Sequence, residues 1–116
     1  MSFDATAWAW SVQGLTSGEK LILLALADCE NSADGECHPS TNRLSHLTGQ
    51  SQSSVFKNLE RLRSKGLIVS ERRFKRNGII GSLSAQHTIL RTDNPRVQGS
   101  PELLAKSRDL ENKVHE

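Results

Sequence analysis

Cysteine is scarce in this chain, with only Cys29 and Cys37 among 116 residues. That is too few for the disulfide framework of a small secreted domain, and an unpaired state in the cytosol is expected. No apolar signal segment opens the chain, because Met1–Asp4 leads straight into a polar, Trp-containing stretch. No run approaches the ~18 apolar residues that a membrane span requires. We therefore expect a cytoplasmic protein with no membrane partner. Apolar residues make up only 35% of the chain, so part of it is expected not to form core. Internal repeats and low-complexity tracts are absent.

The groups that chemistry needs are missing as well. Gly78-Ile79-Ile80-Gly81 has neither the Lys nor the strand–helix setting of a phosphate loop. No carboxylate pair stands in an apolar context, and His87 and His115 have no evident nucleophile beside them. The spacing of Cys29, Cys37, His38 and His46 does not fit the paired ligands of a structural zinc site. The expectation is a protein that is not an enzyme and uses no cofactor and no metal.

The total charge of +2 says little, but its distribution is uneven. Residues 1–39 carry one base and six acids, residues 40–91 ten bases and two acids, and residues 92–116 four bases and five acids. A central block of +8 between acidic segments points to one electropositive surface.

The pattern predicts a mainly α protein with a small β-hairpin, an α+β class. Asp4 is positioned to cap a short helix over 5–10, whose Trp8 and Trp10, with Phe3, complete a core or serve a dimer contact. Thr16 and Glu19 form a capping box before a helix over 17–27, with Leu21, Leu24 and Ala25 inward and Ile22 and Leu26 widening the apolar face. Residues 28–39 form a turn-rich connector, with a brief strand at 36–38. Ser40 caps a second strong helix to Thr48, with Leu44 and Leu47 inward, and Gly49 stops it. Ser51 caps a third, running to about Lys65, with Val55, Leu59 and Leu62 on one face. A strand over 67–74, the turn signal Asn77-Gly78 and a return strand over 83–90 follow. Leu83, Ala85, His87 and Ile89 share one face of the return strand.

Two helices joined through Gly49 have the spacing of a helix-turn-helix. The outward face of the second presents Ser53, Lys57, Glu60, Arg61 and Ser64. Recognition helices read base edges mainly with their N-terminal residues. Gln52, Ser53 and Lys57 are the candidates for base contacts, since Gln pairs with adenine and Lys donates to guanine. Ser54 and Arg61 suit phosphate or base. Ser40, Thr41 and Arg43 open the preceding helix, where hydroxyls and free N–H groups suit a phosphate or simply cap. Arg72, Arg73, Lys75, Arg76 and Asn77 surround the hairpin tip and would meet the DNA backbone or minor groove.

Several pieces recur in a known order: Trp8-Ala9, Ser17-Gly18-Glu19-Lys20-Leu21, Leu24 with Ala27-Asp28, Cys37-His38-Pro39-Ser40, Leu44 to Thr48-Gly49, Ser51 to Ser54-Val55, and Leu59, Leu62 and Gly66-Leu67-Ile68. Over residues 5–91 the set resembles the winged helix-turn-helix domains of phage, plasmid and satellite-element replication initiators. The resemblance implies a three-helix core with a two- or three-stranded wing. It also implies recognition of iterated or inverted sites in double-stranded DNA at a replication origin. One departure is the return strand, which reads Gln86-His87-Thr88-Ile89 where such domains often carry an aromatic. Two other functions use the same fold: transcriptional repression, and a protein-interaction winged helix without DNA. The expected organisation is a DNA-binding domain over 1–91 and a loosely attached polar linker or tail over 92–116, helical from 102 if at all. That tail suits a further domain or a replication partner, and a homodimer is the other association left open.

Overall fold

A computed structural model describes residues 3–74 and 82–114. In chain order the elements are α1 (Phe3–Ser11), α2 (Ser17–Cys29), α3 (Thr41–Thr48), α4 (Gln52–Ser64), β1 (Ile68–Phe74), β2 (Ser82–Ile89), α5 (Pro95–Gln98) and α6 (Pro101–Val114). The strands pair antiparallel, with Ile68 opposite Ile89 and Ser70 opposite His87. The register slips between Glu71 and Arg73. An irregularity of this kind increases local twist in the hairpin.

Helix starts follow from local side-chain chemistry. The Thr16 hydroxyl accepts from the Glu19 N–H, and the Glu19 carboxylate folds back onto Thr16, so the first turn of α2 is closed from both sides. Ser40 and Ser51 cap α3 and α4 by accepting from the N–H groups of Arg43 and Ser54. At the other end of α3, Gly49 takes φ 72°, the left-handed conformation that costs a residue without Cβ little. Asp4 does not cap α1 but lies inside its first turn, where a carboxylate still favours the helix dipole. Lys20 closes the far end of α1. Its ammonium donates to the carbonyls of Ala9, Trp10 and Val12 at 2.9, 2.8 and 2.6 Å.

The core lies where α1, α2, α4 and the hairpin meet. Ile22, Leu23 and Leu26 of α2, Leu44 of α3, Val55 and Leu62 of α4, and Ile89 of β2 are fully buried. Two expected inward residues face out instead: Leu21 is 44% exposed and Leu47 45%. The buried arc of α2 is centred on Ile22 and Leu26, so Leu21 falls on its margin. α3 has eight residues and buries only Leu44, which leaves room for one inward contact. β2 carries no single inward face. Gln86, His87, Thr88 and Ile89 are all buried, with Cys37 along the strand's edge and Arg96 of α5 donating to the Thr88 hydroxyl at 3.3 Å. Cys37 crosses it there: its carbonyl accepts from the His87 N–H at 2.7 Å, and its own N–H donates to the Gln86 side chain at 2.9 Å. The expected brief strand at 36–38 is thus a single backbone bond on the edge of a two-stranded sheet. Buried polar side chains occupy the place of the missing aromatic.

The C-terminal segment differs from the expected loose tail. Asn94, Val97, Ser107 and Leu110 are buried, and Val97 and Leu110 join the main core. Asn94-Pro95, read as a linker signal, starts α5. The Asn94 side chain accepts from the Arg96 N–H, and Pro95 stands where a missing N–H costs nothing. The anchor is a buried ion pair. Glu30, at the end of α2, is fully buried; Arg91 donates to it at 2.6 Å and Asn94 at 2.9 Å. Asn94 also donates to the Ile89 carbonyl. Gly35 of the connector passes against this group, and a Cβ there would stand 2.2 Å from the Asn94 oxygen. The polar composition hid this attachment because charged residues make it.

Two predictions follow from this packing. Removing one charge of a buried pair leaves the other uncompensated, which costs about 3–5 kcal/mol. Glu30→Gln should lose that much in urea unfolding, and a loss below about 1 kcal/mol would show that the pair anchors nothing. The second concerns His87. Burial, with a contribution from the Arg63 charge, pushes its pKa down to about 4, and its Nδ1 stands 2.7 Å from the Ser70 hydroxyl. The unfolded chain binds the proton more tightly than the fold does. Stability is therefore complete above about pH 6.5 and declines as pH falls toward 4, by up to about 3 kcal/mol. His87→Gln should flatten the stability–pH curve between pH 6.5 and 5, whereas an unaltered slope would contradict the assignment.

Candidate nucleic-acid interface

α4 is fixed from behind by apolar and polar contacts together. Val55, Leu59 and Leu62 enter the core, as their spacing predicts. Between them lies Asn58, also buried, which donates to the Gln50 side chain at 2.7 Å. Gln50 in turn donates to the Gly18 carbonyl of α2 at 3.1 Å. The chain Asn58–Gln50–Gly18 ties the turn and α4 to the start of α2. Space there is tight: a Cβ on Gly18 would come within 2.9 Å of the Asn58 amide. At the far end of α4, Lys65 reaches back to Glu19 at 2.5 Å and to the Gly14 carbonyl at 3.2 Å. Burial alone would raise the Glu19 carboxyl, but hydrogen bonds from Lys65 and Thr16 and the Lys65 charge outweigh it and hold it below the usual range.

These braces leave the opposite face of α4 open. Gln52, Ser53, Lys57 and Arg61 are exposed there, with Glu60 and Ser64. Ser54 is half-buried at the edge, and its hydroxyl accepts from that of the Ser51 cap at 3.1 Å. Gln52 does not stand alone, since its amide donates to Asn42 of α3. Asn42 thereby joins the candidate residues, which its sequence position does not suggest. Nothing local marks it; only the crossing of α3 and α4 brings it to Gln52, ten residues away. On α3, Ser40 and Arg43 are exposed and Thr41 is half-buried, all beside the start of the helix. The Ser40 oxygen is engaged as the cap, which meets the simpler of its two expected roles.

The basic block does not form one uninterrupted surface. Arg91 is buried against Glu30, and Lys65 is paired with Glu19, so two of its cations neutralise acids of the N-terminal segment. Arg63 is exposed and donates to Ser70 of β1 at 3.1 Å, linking α4 to the hairpin. The outward cations of α3 and α4 are Arg43, Lys57, Arg61 and Arg63. Of the hairpin residues, Arg72 and Arg73 belong to β1, with side chains outside the described set. Lys75, Arg76 and Asn77 lie outside the described residues.

Burial pushes the Cys37 thiol up, and its sulfur donates to the Leu26 carbonyl at 3.2 Å, as a packed side chain does. Among the described residues, no group of three or more His, Cys, Asp or Glu side chains stands together as a metal site needs. No helix among them is long and apolar enough to cross a membrane.

Comparison with known proteins agrees with the geometry. Residues 13–68 match the family described as a helix-turn-helix domain. That span contains all of α2, α3 and α4 with their braces and ends where β1 begins. No curated protein and no solved structure matches the chain. The α2–α3–α4 unit has the helix-turn-helix arrangement, and the β1–β2 hairpin beside it makes the fold a winged helix-turn-helix.

Proposed function

We propose that the protein binds double-stranded DNA in a sequence-specific manner, as a binding protein and not an enzyme. One observation carries this reading. The inward face of α4 is bolted to α2, while Gln52, Ser53, Lys57 and Arg61 stand together on its solvent face. A rigid helix offering an amide, a hydroxyl and cations fits the major groove, where base edges expose matching acceptors and donors. Gln52, held by Asn42, Ser53 and Lys57 read bases in this account. Ser54 and Arg61 hold phosphate or base. Ser40, Thr41 and Arg43 lie where the backbone would cross the start of α3. Arg72, Arg73, Lys75, Arg76 and Asn77 serve the wing, which would follow the backbone into the neighbouring groove.

We place the recognised sites at a replication origin. The support is the ordered motif set over residues 5–91, which resembles the domains of phage, plasmid and satellite-element initiators. Iterated or inverted sites suit a homodimer, and α6 or a further domain suits a replication partner. An operator over a promoter, read by the same face, would mark a transcriptional repressor. Mapping the bound sites in the source genome separates the two, since origin repeats and promoters lie in different places.

Binding to duplex DNA should show log K falling by about 0.9 per phosphate contacted for each unit of log salt. Lys57→Ala and Gln52→Ala should each reduce preference for the selected site by about 1–3 kcal/mol. Arg73→Ala and Arg76→Ala should weaken selected and random duplexes alike. Absence of duplex binding at low salt would refute the proposal and leave a protein-interaction module. A change of sequence preference in the wing variants would overturn the division of roles.

A further inference from the structure

Phe56 is the large apolar residue of α4 that neither the core nor the DNA reading has used. It is 58% exposed, although its neighbours Val55, Asn58 and Leu59 are buried. Its place at the edge of the apolar stripe would suit either core or a contact with a second copy of the chain. It is not core. At i+4 from Gln52 and i+3 from Ser53, it shares their side of the helix, one turn further along. Its next residue is Lys57, and Arg63 stands seven residues on, two turns along the same flank. A phenyl ring there is solvated at a cost of roughly the apolar area it shows. Its surroundings are amide, hydroxyl and cations, so an uncharged apolar surface would leave Lys57 and the nearby arginines poorly matched. A polyanion that also carries a small apolar group at the depth reached by Gln52 and Lys57 matches both. In the major groove that group is the 5-methyl of thymine, the only apolar feature a base pair presents there.

We infer that Phe56 is a specificity-determining residue that packs on a thymine methyl in the recognised site. The inference rests on the DNA-binding reading and adds to it an A·T pair at a defined place, adjacent to the base read by Gln52. Gln52 and Phe56 then work as a pair along one flank, the amide suited to adenine and the ring to thymine. This gives the site an A·T-containing segment under the first two turns of α4, beside the base contacted by Lys57.

The test uses the full chain and a duplex obtained by selection from random sequence. Each thymine is replaced in turn by deoxyuridine, which removes only the methyl group. For the unaltered protein, one or two replacements should weaken binding about three- to fivefold, the worth of one buried methyl. Phe56→Ala should bind the thymine duplex correspondingly less well and be indifferent to the same replacements. Phe56→Leu, which keeps an apolar tip, should retain most of the discrimination. Because Phe56 is exposed, thermal melting of both variants should match the unaltered chain. A selected site without thymine under α4 would overturn the inference, as would equal sensitivity of Phe56→Ala and the unaltered protein. So would a change of oligomeric state in Phe56→Ala with its methyl sensitivity retained, which would assign the ring to a second copy of the chain. If selection yields no duplex at all, the DNA-binding reading itself has failed, and that result is distinct from sequence-specific binding without methyl sensitivity.

Discussion

Everything the outer surface of α4 does depends on how its inner surface is held to α2. Apolar burial of Val55, Leu59 and Leu62 supplies most of the attraction, but apolar contact is tolerant of sliding and rotation. The polar contacts remove that freedom. Asn58 to Gln50 to the Gly18 carbonyl fixes one end of α4, and Lys65 to Glu19 fixes the other. Buried polar groups lose free energy when their partners move, so each bond penalises a rotated helix more steeply than it stabilises the correct one. A helix clamped at both ends presents the same four or five outward side chains every time it meets a ligand, and specificity requires that.

The same economy runs through the rest of the fold. The acidic N-terminal segment and the basic middle are not separate surfaces, because Glu19 pairs with Lys65 and Glu30 with Arg91 across the core. The two pairs occupy opposite ends of α2. One sets α4, and the other ties the C-terminal segment to the end of α2. The hairpin is linked to α4 in turn through Arg63, Ser70 and His87. Helix and wing are thereby coupled by side-chain bonds as well as by chain connection, and their relative placement is part of one packed body.

Much of this was legible before any coordinates. The caps Thr16, Ser40 and Ser51 and the stop at Gly49 announce their helices through chemistry that acts within four residues, and the structure has them in those places. The inward stripe of α4 was equally readable, since a period of 3.6 needs no knowledge of the partner. What failed was long-range. Leu21 and Leu47 looked inward by spacing, but which part of an apolar arc is covered depends on the neighbouring element. The segment after Arg91 looked like a solvated tail because its anchors are Asn94 and Arg91, polar residues that bury only when Glu30 meets them from sixty residues away. Asn42 escaped notice for the same reason. The charge count overstated the cationic surface, because a sum cannot tell an exposed lysine from one spent on an internal carboxylate.

The central proposal is that a braced α4 offers its outward face to duplex DNA. Backbone amide chemical shifts followed during titration with a short duplex test this directly. The account predicts that the largest changes fall on 52–61 and 40–43, with little change over 5–11 and 102–110. Shifts concentrated on α1 or α6, with α4 unmoved, would contradict it.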